Sequence, residues 1–180
     1  MSLTMLLSRL RTRQANRLFT SPSWIQNPPL GPLAIAPYPA PRRWLYDVLA
    51  AWKDAGADIV VSLLSDREVS DCGLDGEKEH CRELGIEFRR FPITDHGIPD
   101  SADAFLELIC ELHDASSKDR GIVAHCLAGI GRSTMVAASL LVRSGLTLDE
   151  ALGRISLSRG FQVPDTTDQR DWLRSLTASL

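Results

Sequence analysis

Apolar residues along this chain fall into two rhythms. Three short continuous runs, "LAIA" at 33–36, "DIVVSLL" at 58–64 and "GIVAH" at 121–125, are bounded by Gly, Pro or Asp. The second and third predict strands covered on both faces, and "LAIA" is a candidate first strand. A fourth segment, "IEFRRFP" at 86–92, alternates apolar with polar and predicts a strand with one wetter face. Between the strands the spacing becomes helical. Trp44, Leu45, Val48, Leu49 and Trp52 predict a helix from Pro41 to Ala55, ended by Gly56. Phe105, Leu106, Ile109 and Leu112 predict another over 102–116, with Ser101 as its cap. "RSTMVAASLLVRSG" is apolar almost all round, which predicts a buried helix. Further helices are expected over 147–158, opened by Thr147 with Glu150 three residues on, and over 165–177. The polar stretch after Ser65 reads as turns followed by a helix at about 75–84.

Strands alternating with helices give an α/β fold: a single domain with a mainly parallel central sheet flanked by helices. No internal repeat or second domain is visible. Residues 21–41 are proline-rich and form an extended lead-in. The segment before them is basic, free of acids and roughly amphipathic, with Leu6, Leu7, Leu10 and Leu18 as its apolar side. A transit peptide or a membrane-surface helix has this character, although Arg9 interrupts the apolar run that a secretory signal needs. The simplest reading divides the chain into a basic N-terminal extension, 1–23, and one domain, 24–180.

Charge narrows the function. The net charge of −3 conceals an uneven distribution: six arginines and no acid lie within residues 1–46, whereas all 23 acids follow. An acidic body argues against nucleic-acid binding, so any strong attraction for an anion must be local. No apolar run is long enough for a membrane span. The four cysteines, Cys72, Cys81, Cys110 and Cys126, form no CxxC pair, and His80, His96 and His113 form no ligand pattern, so no metal and no cofactor are expected. Without a secretory signal, a cytoplasmic, reducing location with free thiols is the expectation.

The local site is "GIVAHCLAGIGRS", 121–133. A buried strand ends at Cys126, a glycine-rich turn follows, and a buried helix begins near Arg132. The N-terminus of such a helix offers backbone N–H groups and positive potential to an anion. A thiol beneath that ring is placed to act as a thiolate nucleophile, and Arg132 supplies a planar fork for two phosphate oxygens. A nucleotide-phosphate loop without chemistry is the competing reading, but neither GK[ST] nor GxGxxG is present. Residue spacing separates Cys126 from the other thiols. Six residues after Cys72, Cys81 and Cys110 stand Lys78, Glu87 and Ser116; only Cys126 has an arginine there.

"HCLAGIGRS" resembles the His-Cys-x5-Arg-Ser/Thr signature of cysteine-dependent protein tyrosine phosphatases, and its alanine-glycine-x-glycine filling resembles the small dual-specificity branch. The likeness extends over about residues 31–177: "FPITDHGIPD" resembles the family's general-acid loop, and "SRGFQVPDTTDQRDWL" its downstream glutamine loop. The resemblance implies a phosphate-binding loop between the last strand and the buried helix. It implies Cys126 as nucleophile, Arg132 with the backbone of Leu127, Ala128, Gly129, Ile130 and Gly131 as the phosphate cradle, and Asp95 as general acid and base. Ser133 would stabilise the departing thiolate, His125 would orient the loop by hydrogen bonds, and Gln169 would align the hydrolytic water. Asp100 is a rival acid better suited to capping the next helix, and Gln162 is a rival to Gln169. Glu68 matches a family glutamate near the site but fits a solvated face equally well, and Cys72 is either a redox partner of Cys126 or an ordinary loop cysteine.

The implied activity is a metal-free phosphatase acting on phosphotyrosine and phosphoserine or phosphothreonine through a cysteinyl-phosphate. The implied partner is a phosphorylated protein, with a phosphate or sulfate anion expected in the site of a monomeric enzyme. Phosphoinositides and RNA 5′-phosphates are alternative substrates, and a phosphate-binding pseudophosphatase is the non-enzymatic alternative. Neutral Leu127, Ala128 and Ile130 favour phosphoproteins over phosphoinositides, and the intact trio Cys126, Arg132 and Asp95 favours catalysis.

Overall fold

The computed structural model describes residues 21–180; the basic segment with Leu6, Leu7, Leu10 and Leu18 lies outside the described residues. Five strands form one sheet in the order β1-β2-β5-β3-β4. They are β1 Ser23–Trp24, β2 Leu33–Pro37, β3 Ile59–Ser62, β4 Glu87–Arg90 and β5 Ile122–Cys126. The last four are mutually parallel, whereas β1 runs antiparallel to β2 through Ser23 opposite Ile35 and Trp24 opposite Ala34. The expected sheet is therefore present with one addition, a two-residue edge strand too short to leave a pattern in the sequence.

The continuous apolar runs are explained by burial on both faces. Leu33, Ile35, Ile59, Val61, Ile122 and Ala124 share one core with α4 Ala102–Ser116, α5 Arg132–Arg143, α6 Leu148–Arg159 and α7 Thr167–Leu176. The alternate residues, Ala34, Ala36, Val60 and Val123, face a second core built on α1 Leu45–Asp54 and the segment around α3 Glu77–Glu83. A period of two divides each strand between two apolar layers. A short 3₁₀ turn, Arg42–Trp44, precedes α1. The stretch read as turns after Ser65 holds a further helix, α2 Asp66–Asp71. It has no buried residue, so hydrophobic periodicity gave no sign of it. Among the described residues, no helix is long and apolar enough to cross a membrane.

Strand β5 is central, and its C-terminal end, with that of β2, opens toward the turn before α5. In open parallel sheets the crevice beyond the strand C-termini is where ligands bind. Cys126 occupies that position, paired with Pro37 of β2.

Candidate active site

Cys126 is the last residue of β5, is 3% exposed and faces the larger core. His125, one residue earlier, therefore points to the opposite face. Its Nε2 lies 2.9 Å from Oε1 of Glu77, and its ring meets Trp52 edge-on at 6.1 Å between centroids. Neither ring nitrogen has an aligned hydrogen-bond partner. His125 is buried on the face of β5 opposite Cys126, with Glu77 as its polar neighbour.

Every carbonyl of the turn 127–131 accepts a hydrogen bond, those of 127–129 from residues outside the turn and those of 130 and 131 from the first turn of α5. Leu127 O accepts from the Tyr38 backbone N–H. Ala128 O and Gly129 O accept from the guanidinium of Arg159, each at 3.0 Å. Ile130 O accepts from the Thr134 hydroxyl, and Gly131 O from the Met135 N–H. Two glycines are sterically required. Gly129 has φ +67° and sits against the backbone of Ala36 and Pro37, where any Cβ would collide. A Cβ on Gly131 would lie 2.7 Å from Oε1 of Gln169. Gly129→Ala should therefore lower stability by about 2 kcal/mol or more, through strain and collision together. A urea titration checks this; a loss below about 0.5 kcal/mol, typical of an unconstrained surface site, would mean that the turn relaxes freely.

Arg132 opens α5 and is 2% exposed. Its guanidinium is surrounded. Nη1 and Nη2 each donate to one oxygen of Glu68 at 2.8 Å; Nη1 also donates to Ile93 O at 2.9 Å, and Nη2 to Asp95 Oδ1 at 2.8 Å. Burial alone would lower the pKa of Arg132, but the Glu68 hydrogen bonds and the nearby charges of Cys126, Glu68 and Asp95 outweigh it and raise the pKa. Glu68 responds in kind. Its partial burial opposes ionisation, yet hydrogen bonds from Arg132 and Ser65 bring its pKa down from 4.5 to about 2.

Glu68 is placed by α2. Ser65 accepts from the Glu68 N–H, and the Glu68 carboxylate accepts from the Ser65 N–H at 2.9 Å, a closed capping box. Glu68 is therefore not a solvated surface acid; it is the bidentate partner of Arg132. "SDRE" at 65–68 carries the S-x-x-E capping signature, so the helix start, although not the role, was open to a sequence reading.

Because the folded pKa of Glu68 is depressed, its contribution to stability is present above its ordinary value of 4.5 and is lost as pH falls through about 2. Glu68→Gln keeps the capping box and removes the charge. We expect a deficit of about 1 kcal/mol at neutral pH, the scale of a partly screened hydrogen bond to a charge. That deficit should shrink progressively below pH 4.5 in acid-series urea titrations. A pH-independent deficit would assign Glu68 a purely steric role.

The loop of residues 91–100 brings Asp95 to the cavity that Cys126 also lines. Asp95 reaches Arg132, as above, whereas Asp100 is exposed and lies beyond Pro99. The cap of α4 is Ser101, whose hydroxyl accepts from the Ala104 N–H, so Asp100 is not the cap either. Ser133 Oγ is 3.5 Å from Cys126 Sγ. Gln169 is fully buried; its amide nitrogen donates to Gly97 O at 3.0 Å and its Oε1 lies against Gly131, whereas Gln162 is exposed. One small cavity is lined by Asp95, His96, Cys126, Gly131, Arg132 and Gln169, together with Ala128 and Asp165. Cys72 is the C-cap of α2, and its thiol is pushed up by burial and by the charges of Glu68 and Asp71. All four cysteines are free thiols. Sequence reasoning missed Arg159, Glu77, His96 and Asp165; Arg159, Glu77 and Asp165 are distant in the chain from the residues they meet.

Residues 40–146 match the family described as "Polymorphic toxin system, DSP-PTPase phosphatase". Human dual specificity protein phosphatase 7 is 40% identical over 72 residues, which are 38% of this chain and 17% of that protein. Mouse tyrosine-protein phosphatase non-receptor type 4 is 39% identical over 72 residues, 37% of this chain and 8% of that protein. The matches thus span under a fifth of these relatives' lengths. Among solved structures, kinase associated phosphatase (KAP), with its catalytic-site cysteine changed to serine, superposes with a TM-score of 0.77 at 22% identity, covering 89% of this chain and 96% of that one. An active form of Tk-PTP gives 0.71 at 26% identity, covering 89% and 98%.

Proposed function

The chain belongs to the DSP-PTPase phosphatase family of polymorphic toxin systems, and from that premise we propose that it hydrolyses phosphotyrosine and phosphoserine or phosphothreonine in proteins through a cysteinyl-phosphate. The outward anchoring of the loop carbonyls is the observation that carries this reading. In a planar trans peptide the C=O and the following N–H point in opposite directions. The carbonyls of 127–129, held by Tyr38 and Arg159 outside the turn, turn the N–H groups of 128–130 toward the centre of the loop. They form a ring above the Cys126 thiol, a preorganised seat for a phosphoryl group.

The chemistry follows from that seat. Phosphate oxygens take the ring of N–H groups and the Arg132 guanidinium, displacing Asp95 Oδ1 from Nη2 while Glu68 keeps the fork oriented. Cys126 Sγ attacks phosphorus; the bond to the leaving oxygen breaks, and Asp95, which takes up a proton from solvent once it has left Arg132, gives that proton to the leaving oxygen. Asp95, now a carboxylate, takes a proton from water as the water attacks the cysteinyl-phosphate. The sulfur departs as a thiolate beside the Ser133 hydroxyl, 3.5 Å away. Gln169 links the acid loop at Gly97 to the cradle at Gly131 and so keeps the two in register.

A substrate panel in EDTA tests this assignment: phosphotyrosine and phosphothreonine peptides, a phosphoinositide and a 5′-phosphorylated RNA. Phosphopeptide turnover that survives EDTA is expected. Preferential turnover of the phosphoinositide or RNA would overturn the substrate class, and no turnover of any would favour the pseudophosphatase.

A further inference from the structure

In the reaction proposed above, Asp95 must let go of Arg132 at the moment when its position matters most. Its Oδ1 rests on Arg132 Nη2 at 2.8 Å, a place that the incoming phosphate takes. Its other oxygen, Oδ2, is 3.5 Å from Nε2 of His96. The second ring nitrogen of His96, Nδ1, is 2.9 Å from Oδ2 of Asp165. One imidazole therefore stands between two carboxylates, at the rim of the cavity that contains Cys126.

The backbone is arranged to put it there. His96 has φ 58°, in the left-handed region. A non-glycine residue there costs about 1–3 kcal/mol and persists only where its surroundings enforce it. The enforcement comes from one corner of the fold. Asp165 precedes Thr166, the cap of α7, and Gln169 of the same capping box donates to Gly97 O at 3.0 Å. Two consecutive residues of the acid loop, His96 by its side chain and Gly97 by its carbonyl, are thus fastened to the start of α7.

We infer that His96, anchored by Asp165, is a positioning residue that holds Asp95 over Cys126 after the substrate phosphate has taken Arg132. With Oδ2 kept by the imidazole, Oδ1 is released from the guanidinium in place, free to carry the proton to the leaving oxygen. This inference rests on the phosphatase reading. It makes the acid's placement depend on residues 69 positions apart in the chain.

His96→Asn tests it, because Asn tolerates left-handed backbone yet is too short to bridge the two carboxylates. The substrates are phenyl phosphate, whose leaving group needs a proton, and 4-nitrophenyl phosphate, whose leaving group hardly does. We expect His96→Asn and Asp165→Asn each to lower kcat/KM about tenfold on phenyl phosphate, part of the ~10²–10⁴-fold that a general acid supplies. On 4-nitrophenyl phosphate the loss in kcat/KM, which reports only the steps through leaving-group departure, should stay within about twofold. In an Asp95→Asn background, His96→Asn should cost nothing more, since there is no acid left to place. Equal losses on both substrates, or the same loss in the Asp95→Asn background, would make His96 merely structural and overturn the inference. So would unchanged kinetics in His96→Asn, whatever Asp165→Asn does. Cys126→Ser in parallel separates the two failures. A dead Cys126→Ser with unaffected His96→Asn refutes only the positioning role, whereas an active Cys126→Ser refutes the phosphatase reading and the inference with it.

Discussion

Cys126→Ser should reduce turnover by at least about 10⁴-fold, since a neutral hydroxyl replaces the nucleophile on which the whole reaction depends. The same variant should still bind phosphate or tungstate. Serine is close to isosteric, and the contacts that shape the cradle belong to other groups: the Tyr38 N–H, Arg159, Thr134 and the Glu68–Arg132 pair. Anion binding is read as a rise in Tm with tungstate concentration, because a ligand that binds only the folded state stabilises it by mass action. Retained turnover would rule out covalent catalysis at Cys126. Lost turnover together with lost tungstate stabilisation would mean that the cradle itself depends on the thiol.

Asp95→Asn is expected to have the second-largest effect, roughly 10²–10⁴-fold on phosphotyrosine and far less on a substrate with a good leaving group. The geometry adds a second consequence. The Asp95 carboxylate accepts from Arg132 Nη2 at 2.8 Å and so competes with an incoming anion. Asparagine removes that charge, so the variant should bind phosphate more tightly while turning over more slowly. Isothermal titration with phosphate, beside steady-state rates, checks both halves. Asp100→Asn, at an exposed position, should change neither by more than about twofold. If Asp100→Asn carries the leaving-group-dependent loss, the acid has been placed on the wrong residue.

How far the sequence could be read depended on whether partners were neighbours in the chain. Cys126, the glycine turn and Arg132 lie within one strand–turn–helix unit. Their spacing, the apolar run before them and the apolar helix after them are all local, so this part was legible. The helices over 102–116 and 147–158 were legible for the same reason, their caps Ser101 and Thr147 standing beside their first turns. Helix α2 was not. It is six residues long with no buried side chain, and what it contributes is one carboxylate delivered to an arginine 64 positions away.

The same holds for the supports of the cradle. Arg159 holds Ala128 and Gly129 from the end of α6, and Asp165 meets His96 from the start of α7. Composition and periodicity describe which faces are buried; they do not say which polar groups meet across the fold. Strand alternation turns His125 to the layer opposite Cys126, against Glu77 and Trp52, two contacts that the local sequence does not show.

The central claim is that phosphate is carried on the Cys126 sulfur between two half-reactions. It is tested most directly by quenching the enzyme during turnover of an aryl phosphate and mapping the phosphoryl group by peptide mass spectrometry. The account predicts a phosphoryl adduct on the peptide containing Cys126, none on those containing Cys72, Cys81 or Cys110, and none anywhere in Cys126→Ser. Steady turnover with no adduct on Cys126, or an adduct on another residue that persists in Cys126→Ser, would contradict it.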